Sequence, residues 1–165
     1  MLLAPVHETV IIAKVISMSS VFSKIIAGEI PGKFVWADDE CVAIATIEPV
    51  RPGHVMVIPR QEVERFSDLP PQLFAHLAQI SQIIGKAQQA AFDVDRAVMV
   101  LLGFEVPHTH IHLVPADSEA DANMRLASAA PEAEITQAME KLRAALREMG
   151  YGDNVPTKLD SPDLD

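Results

Sequence analysis

A single cysteine, Cys41, excludes an intramolecular disulfide, and with no export signal ahead of it the default compartment is the reducing cytoplasm. Basic residues are scarce: 13 Lys and Arg stand against 23 Asp and Glu, a formal net charge of −10. That balance excludes nonspecific attraction to nucleic acid or to an anionic membrane, while leaving room for a small anion held locally. Long apolar runs are missing too. The first seventeen residues, MLLAPVHETVIIAKVIS, are interrupted by Lys14 and fall short of the ~20 apolar residues a bilayer demands. Before Val10 they hold Glu8 and no Lys or Arg, which is the wrong charge for a secretory leader. Residues 1–19 therefore read as an extension outside the domain, with Met18 an alternative start. There are no internal repeats.

What is present is a hydrophobic fraction of 49% in 165 residues, enough for one domain with a proper core and too short for two. Val21, Phe22, Ile25 and Ile26 recur at helical spacing, with Ser20 able to cap and Gly28 able to stop a first helix. Phe34 to Ala37 and Cys41 to Ile47 are strand-like runs around the turn Asp38-Asp39-Glu40, and His54 to Ile58 follows as a third strand. Ser67-Asp68 with Pro70 and Pro71 predicts the start of a long amphipathic helix carrying Leu73, Leu77, Ile80, Ile84, Ala87 and Ala91. Ala97 to Leu102 and Val106 to Val114 read as two further strands. Residues 117–130 read as loop, and Ile135, Ala138, Met139, Leu142, Leu146 and Met149 mark a C-terminal helix ending at Gly150. The tail, 151–165, is acidic and proline-broken, and is expected to be disordered. The order α-β-β-β-α-β-β-α predicts an α+β domain: an antiparallel sheet of about five strands, a long helix packed on it and an additional C-terminal helix.

Residues 106–115, VPHTHIHLVP, hold three of the six histidines at every second position. In an extended chain alternate side chains share a side, so His108, His110 and His112 form one row and Thr109, Ile111 and Leu113 the other. Neighbours in the row lie about 7 Å apart at Cα and can flank one reacting atom. Imidazole can act as nucleophile, as general acid or base near neutral pH, or as metal ligand, and the spacing alone leaves these open. The bland alternative, three rings filling space at the rim of a core, has to supply several polar partners that packing does not reward.

VFSKIIAGEIPGKFVWADDECVAI, then EPVRPGHVMVIPR, then VPHTHIHLVP, resembles in order and spacing the histidine triad family, over about Ser20 to Pro115. The resemblance implies a histidine triad domain over residues 20–116, followed by a loop and helix at 117–150. It implies a homodimer that binds a purine nucleotide and acts as hydrolase or nucleotidyltransferase at the α-phosphate, through a nucleotidyl-histidine and with no cofactor. By position, His110 would be the nucleophile, His112 would contact the phosphate or leaving group, His108 would orient His110, and His54 would be a fourth histidine of the site. Ile44 and Ile47 would wall the base and ribose. An imidazole attacking phosphorus needs an unprotonated nitrogen and donors around the phosphoryl oxygens, which neighbouring rings can supply.

The chain departs from the family pattern in three places. Where many bacterial relatives have two Cys and a His holding a structural zinc, Ser20, Ser23 and Glu62 stand, so no metal is expected there. Thr46 replaces the Asp that holds the ribose, and a threonine makes one hydrogen bond where a carboxylate accepts two. Gly103-Phe104-Glu105 replaces a Gly-Gln-Ser type of phosphate loop. A carboxylate 4 Å from a phosphate is repelled by about 4 kcal/mol at an effective dielectric of 20, so either Glu105 turns outward or the substrate differs, with Arg51 the candidate compensating charge. Two alternatives follow: a nucleotide-binding module with little catalysis, suggested by Thr46 and Glu105, and a metal-dependent hydrolase using the row as ligands.

Overall fold

A computed structural model describes residues 19–164, and the expected extension 1–19 lies outside it except for its last residue. The elements follow the predicted order: α1 (Val21–Ile26), β1 (Phe34–Ala37), β2 (Cys41–Ala45), β3 (Val55–Pro59), α2 (Pro71–Phe92), β4 (Arg96–Val100), β5 (Ile111–Ala116) and α3 (Glu132–Glu148). The five strands form one antiparallel sheet in the order β1-β2-β3-β5-β4, so β3 and β5 are central. Among the described residues no helix is long and apolar enough to cross a membrane.

Alternation along the strands sorts the core into two layers. Ala43, Val55, Val57, Ile111 and Leu113 face one side with Leu77, Ile84, Leu142 and Leu146 of α2 and α3. Val42, Ile44, Met56 and Ile58 face the other with Phe22 of α1. Every residue of β3 is buried, as a strand covered on both sides requires. Each fully buried Leu or Ile contributes roughly 1.5–3 kcal/mol relative to exposure, so the α2 and α3 stripes hold the sheet against both helices. A bulge between Phe34 and Trp36 lets Val35 and Trp36 both join the helical side.

Four expectations are corrected. β5 begins at Ile111, not Val106: His108 N–H closes on the Val106 carbonyl (2.8 Å), and Thr109 N–H bonds the Val63 carbonyl (2.7 Å) in place of a ladder partner. α2 begins at Pro71, because Leu69 is held extended ahead of Pro70 and leaves Ser67 and Asp68 in a preceding 3-10 turn. Residues 117–130, read as loop, contain two short 3-10 turns at Glu119–Ala122 and Met124–Leu126.

The fourth correction is the tail, which is ordered from 151 to 164. Arg143, 2% exposed, donates to the carbonyls of Phe34 (2.8 Å) and Pro156 (2.7 Å). Phe34 N–H bonds the Leu159 carbonyl (2.6 Å), Asn154 donates to the Ala37 carbonyl, and Tyr151 packs on Trp36. The composition signals a solvated tail, but the open edge of β1 and a buried guanidinium supply the partners that order it.

Candidate active site

His112 lies on β5, paired with Met56 of β3 on one flank and Val100 of β4 on the other. His110 and His108 precede the ladder, yet the rings stay on one side: His110 packs at 4.9 Å from His112 and 4.8 Å from Phe22, and His108 at 5.9 Å from Phe22. His54 enters from the turn before β3, its ring 5.1 Å from that of His112. Thus α1, the turn before β3 and the run into β5 deliver four imidazoles to one place.

Their hydrogen bonds fix every tautomer. Val50 N–H donates to His54 Nδ1 (3.1 Å), so neutral His54 carries its proton on Nε2 and donates it to His112 Nδ1 (2.9 Å). The proton of His112 is then on Nε2. His108 Nε2 faces the Pro59 carbonyl (2.8 Å), which only accepts, so Nε2 donates and Nδ1 receives the hydroxyl proton of Ser20 (2.6 Å). His110 Nδ1 faces the His108 carbonyl (2.8 Å) and must donate, which leaves its Nε2 unprotonated. The row therefore presents one bare nitrogen, on His110, beside one N–H, on His112.

The neutral forms assumed here are the ones the fold favours. Burial pushes His54 down to about 3 and His112 to about 4, with each neighbouring imidazole adding to the shift. His108 and His110 are also lowered, first by burial; at His110 the carboxylate of Glu105 works in the opposite direction.

Behind His108 sits a closed network. Ser20 Oγ caps α1 by accepting from Ser23 N–H (3.1 Å), and Ser23 Oγ and Ser20 N–H both donate to Glu62 (2.6 and 3.1 Å). The Ser23 hydroxyl and the Ser20 amide hold the Glu62 carboxyl below the usual carboxylate range. The positions noted in the sequence as replacing metal ligands do converge, as two hydroxyls and a carboxylate bonded to each other and joined to His108 through Ser20.

The other expected site residues are dispersed. Ile44 is buried beneath Phe22 and Met56, Ile47 is 78% exposed, and Thr46 accepts from Glu48 N–H (3.2 Å) and lines a cavity of about 130 Å³ with His54. They do not form one wall. Gly103 lines a second cavity, of about 290 Å³, that opens at His110; Glu105 is exposed and is not among its lining residues. Arg51 does not balance Glu105, because it is bound to Asp117 (3.2 Å) and Asp121 (2.8 Å).

One positioning residue escaped the sequence reading. Gln88, wholly buried on α2, donates to the carbonyls of Gly53 and Leu113, both at 2.9 Å, and so ties the turn before His54 to the strand of His112. Its signal was an amide standing one turn after Ile84 in an otherwise apolar stripe.

Among the described residues, Asp38, Cys41 and His76 bring metal-ligand atoms within 4.8 Å of one another. Their chemistry argues for a clasp. Asp38 already accepts from Trp36 Nε1, His76 Nε2 and the amides of Glu40 and Cys41, and burial pushes the Cys41 thiol well up, against the thiolate a metal would take.

A HIT domain family model matches residues 27–119, more than half the chain. An uncharacterized HIT-like protein of Methanocaldococcus jannaschii is 33% identical over 99 residues, 58% of this chain and 77% of that one. An asymmetrical bis(5'-nucleosyl)-tetraphosphatase of Schizosaccharomyces pombe is 37% identical over 78 residues, 44% of this chain and 43% of its own. A zinc-bound histidine triad family protein of Mycobacterium smegmatis superposes with a TM-score of 0.70 at 27% identity, covering 82% of this chain and 98% of that one. With the sheet order, the four converging imidazoles and the matched span in agreement, the chain belongs to the HIT domain family.

Proposed function

We propose that this protein is a nucleotidyl hydrolase or transferase that acts on a purine nucleotide phosphoramidate at its α-phosphate. One observation carries the proposal: the hydrogen-bond chain leaves the Nε2 lone pair of His110 free while placing the Nε2 proton of His112 beside it.

His110 Nε2 attacks phosphorus as the bond to the leaving group breaks; the His112 Nε2–H hydrogen-bonds the departing atom, which takes its proton from water. The hydroxide so formed attacks the nucleotidyl-histidine and frees His110 with the nucleoside monophosphate. His108 holds His110 through its carbonyl, and His54 fixes the tautomer of His112. Low basicity helps, since a buried imidazole kept neutral is nucleophilic without first losing a proton. The β2 flank, with Thr46 and the exposed Ile47, is the side assigned to the nucleoside.

A homodimer in the cytoplasm belongs to the same reading, supported by family membership and by the half-exposed Met99 on the edge strand β4.

The test is release of AMP from adenosine 5'-phosphoramidate. Wild-type protein is expected to turn it over, and His110→Ala to lose at least about 100-fold in rate. Equal turnover by both removes His110 as the nucleophile.

A further inference from the structure

Thr46 stands where the family pattern has an Asp, so β2 brings no carboxylate to the nucleoside flank. The fold brings one from elsewhere. Thr46 and His54 line the cavity of about 130 Å³, and Glu134 of α3 lines it too.

The chain beyond the HIT domain is what supplies this second side of the cavity. It is fastened to the β2 flank by Arg51 to Asp121 (2.8 Å), by the Ala130 N–H to the Ile47 carbonyl (3.4 Å) and by Lys33 to Glu132 (3.1 Å). Buried Ile135 and Met139 contribute apolar surface, and Ser128 and Glu134 contribute polar groups. The neighbouring acids of α3 are engaged, Glu132 with Lys33 and Glu140 with Arg143 (3.4 Å). The Glu134 carboxylate has no hydrogen-bond or ion-pair partner among the described residues.

Size and distance narrow what this carboxylate meets. At about 130 Å³ the cavity is well below the ~300–1,000 Å³ of a pocket for a whole small molecule, so it takes one part of a nucleotide, a sugar ring rather than a nucleoside. His54 shares its wall and holds its ring 5.1 Å from His112, which contacts the departing atom. A ribose is joined to the α-phosphorus through O5' and C5' alone. Phosphorus held at His110 and His112 therefore delivers the sugar to the His54 wall, with its hydroxyls turned away from the phosphate. An ionised carboxylate accepts from two hydroxyls at once, and a cis-diol offers two adjacent donors. Thr46 Oγ1 accepts from Glu48 N–H (3.2 Å) and keeps its own proton to donate to a ribose oxygen.

We propose that Glu134, from the chain beyond the HIT domain, accepts from the 2'- and 3'-hydroxyls of the nucleotide, with Thr46 donating to one of them, and so makes the protein selective for ribonucleotides. This assignment rests on the proposed function and adds to it a residue outside the matched domain.

The experiment compares kcat/KM for the 5'-phosphoramidates of adenosine, 2'-deoxyadenosine and 3'-deoxyadenosine. Wild-type protein is expected to favour the ribose form over either deoxy form by at least about tenfold, because a site built to bond a hydroxyl rejects the analogue lacking it. Glu134→Ala is expected to bring both ratios close to one, and Glu134→Gln to leave them in between. Thr46→Asp in the Glu134→Ala background is expected to restore part of the selectivity, since a carboxylate again lines the cavity. Glu132→Gln, two residues away, is expected to leave both ratios at the wild-type value. Glu134 is exposed and unpaired, so its variants are expected to keep the wild-type Tm and to report on the ligand alone. Equal efficiency for ribose and deoxyribose substrates in wild type, ratios unmoved in Glu134→Ala, or an equal fall in Glu132→Gln overturns the assignment and leaves the His110 chemistry standing. No turnover of any substrate, in wild type and His110→Ala alike, overturns both.

Discussion

Replacing Ser20 by Ala removes one oxygen that does two jobs. It accepts from Ser23 N–H as the cap of α1, and it donates to His108 Nδ1 at 2.6 Å. Loss of a serine cap costs about 1 kcal/mol. The second loss leaves Nδ1 of a fully buried imidazole without a partner, roughly 1–3 kcal/mol, because neither water nor another described donor stands in for the hydroxyl. Ser20→Ala is thus expected to destabilise by about 2–4 kcal/mol, a fall in Tm on the order of 10 °C for a chain of this size. Glycine caps nearly as well as serine, so Ser20→Gly isolates the imidazole share and is expected to retain most of the cost. Ser23→Ala loses a bond to the solvent-facing Glu62 and is expected to cost under about 1 kcal/mol. Urea unfolding gives the three energies, and the ¹⁵N shift of His108 Nδ1 reports the lost bond. Ser20→Ala within about 0.5 kcal/mol of wild type, with that shift unmoved, would refute the tautomer assignment at His108.

Three further outcomes follow from the same geometry. His54 and His112 titrate near 3 and 4 in the fold against about 6.5 unfolded, so between these limits the unfolded chain binds protons that the fold refuses, and stability falls as pH drops. Each contributes up to about 1.4 kcal/mol per pH unit, up to about 4 kcal/mol together from pH 6.5 to 5; a urea midpoint that holds constant or rises over that interval contradicts the burial of the pair. Arg143→Leu strands the carbonyls of Phe34 and Pro156 and is expected to cost roughly 2–4 kcal/mol and to release the segment after Tyr151 to limited proteolysis; resistance equal to wild type would deny that this residue anchors the tail. Gly53→Ala puts a Cβ against the Phe92 ring at φ +92°, directly before His54, so a loss of about 2 kcal/mol or more and a reduced rate of AMP release are expected, and a wild-type Tm would exclude the strained turn.

The histidine row was legible because period-two alternation is a local property, and it survives even where the ladder does not. The strand boundary was not legible. The bond from Thr109 N–H to Val63 is a contact between distant segments, and nothing within VPHTHIHLVP announces it. The same limit explains Arg51, whose partners Asp117 and Asp121 come from a stretch without periodicity. Ile44 and Ile47 share a strand-like run but stand three apart, an odd offset that alternation sends to opposite faces, and β2 ends at Ala45 before reaching Ile47. Gln88 was readable in principle, since a stripe position filled by an amide asks for backbone partners. The tail defeats composition altogether: its order comes from α3 and β1, which lie far earlier in the chain.

The segment from 151 to 164 also determines how copies of this molecule can meet. It occupies Phe34 N–H and the Ala37 carbonyl, while Arg143 takes the Phe34 carbonyl, so β1 keeps little backbone with which to recruit a foreign strand, whereas β4 at the opposite margin has no strand partner on its outer side among the described residues. Clipping after Tyr151 would turn a sheet with one sticky border into one with two, and a head-to-tail stack of such sheets could then grow without closing.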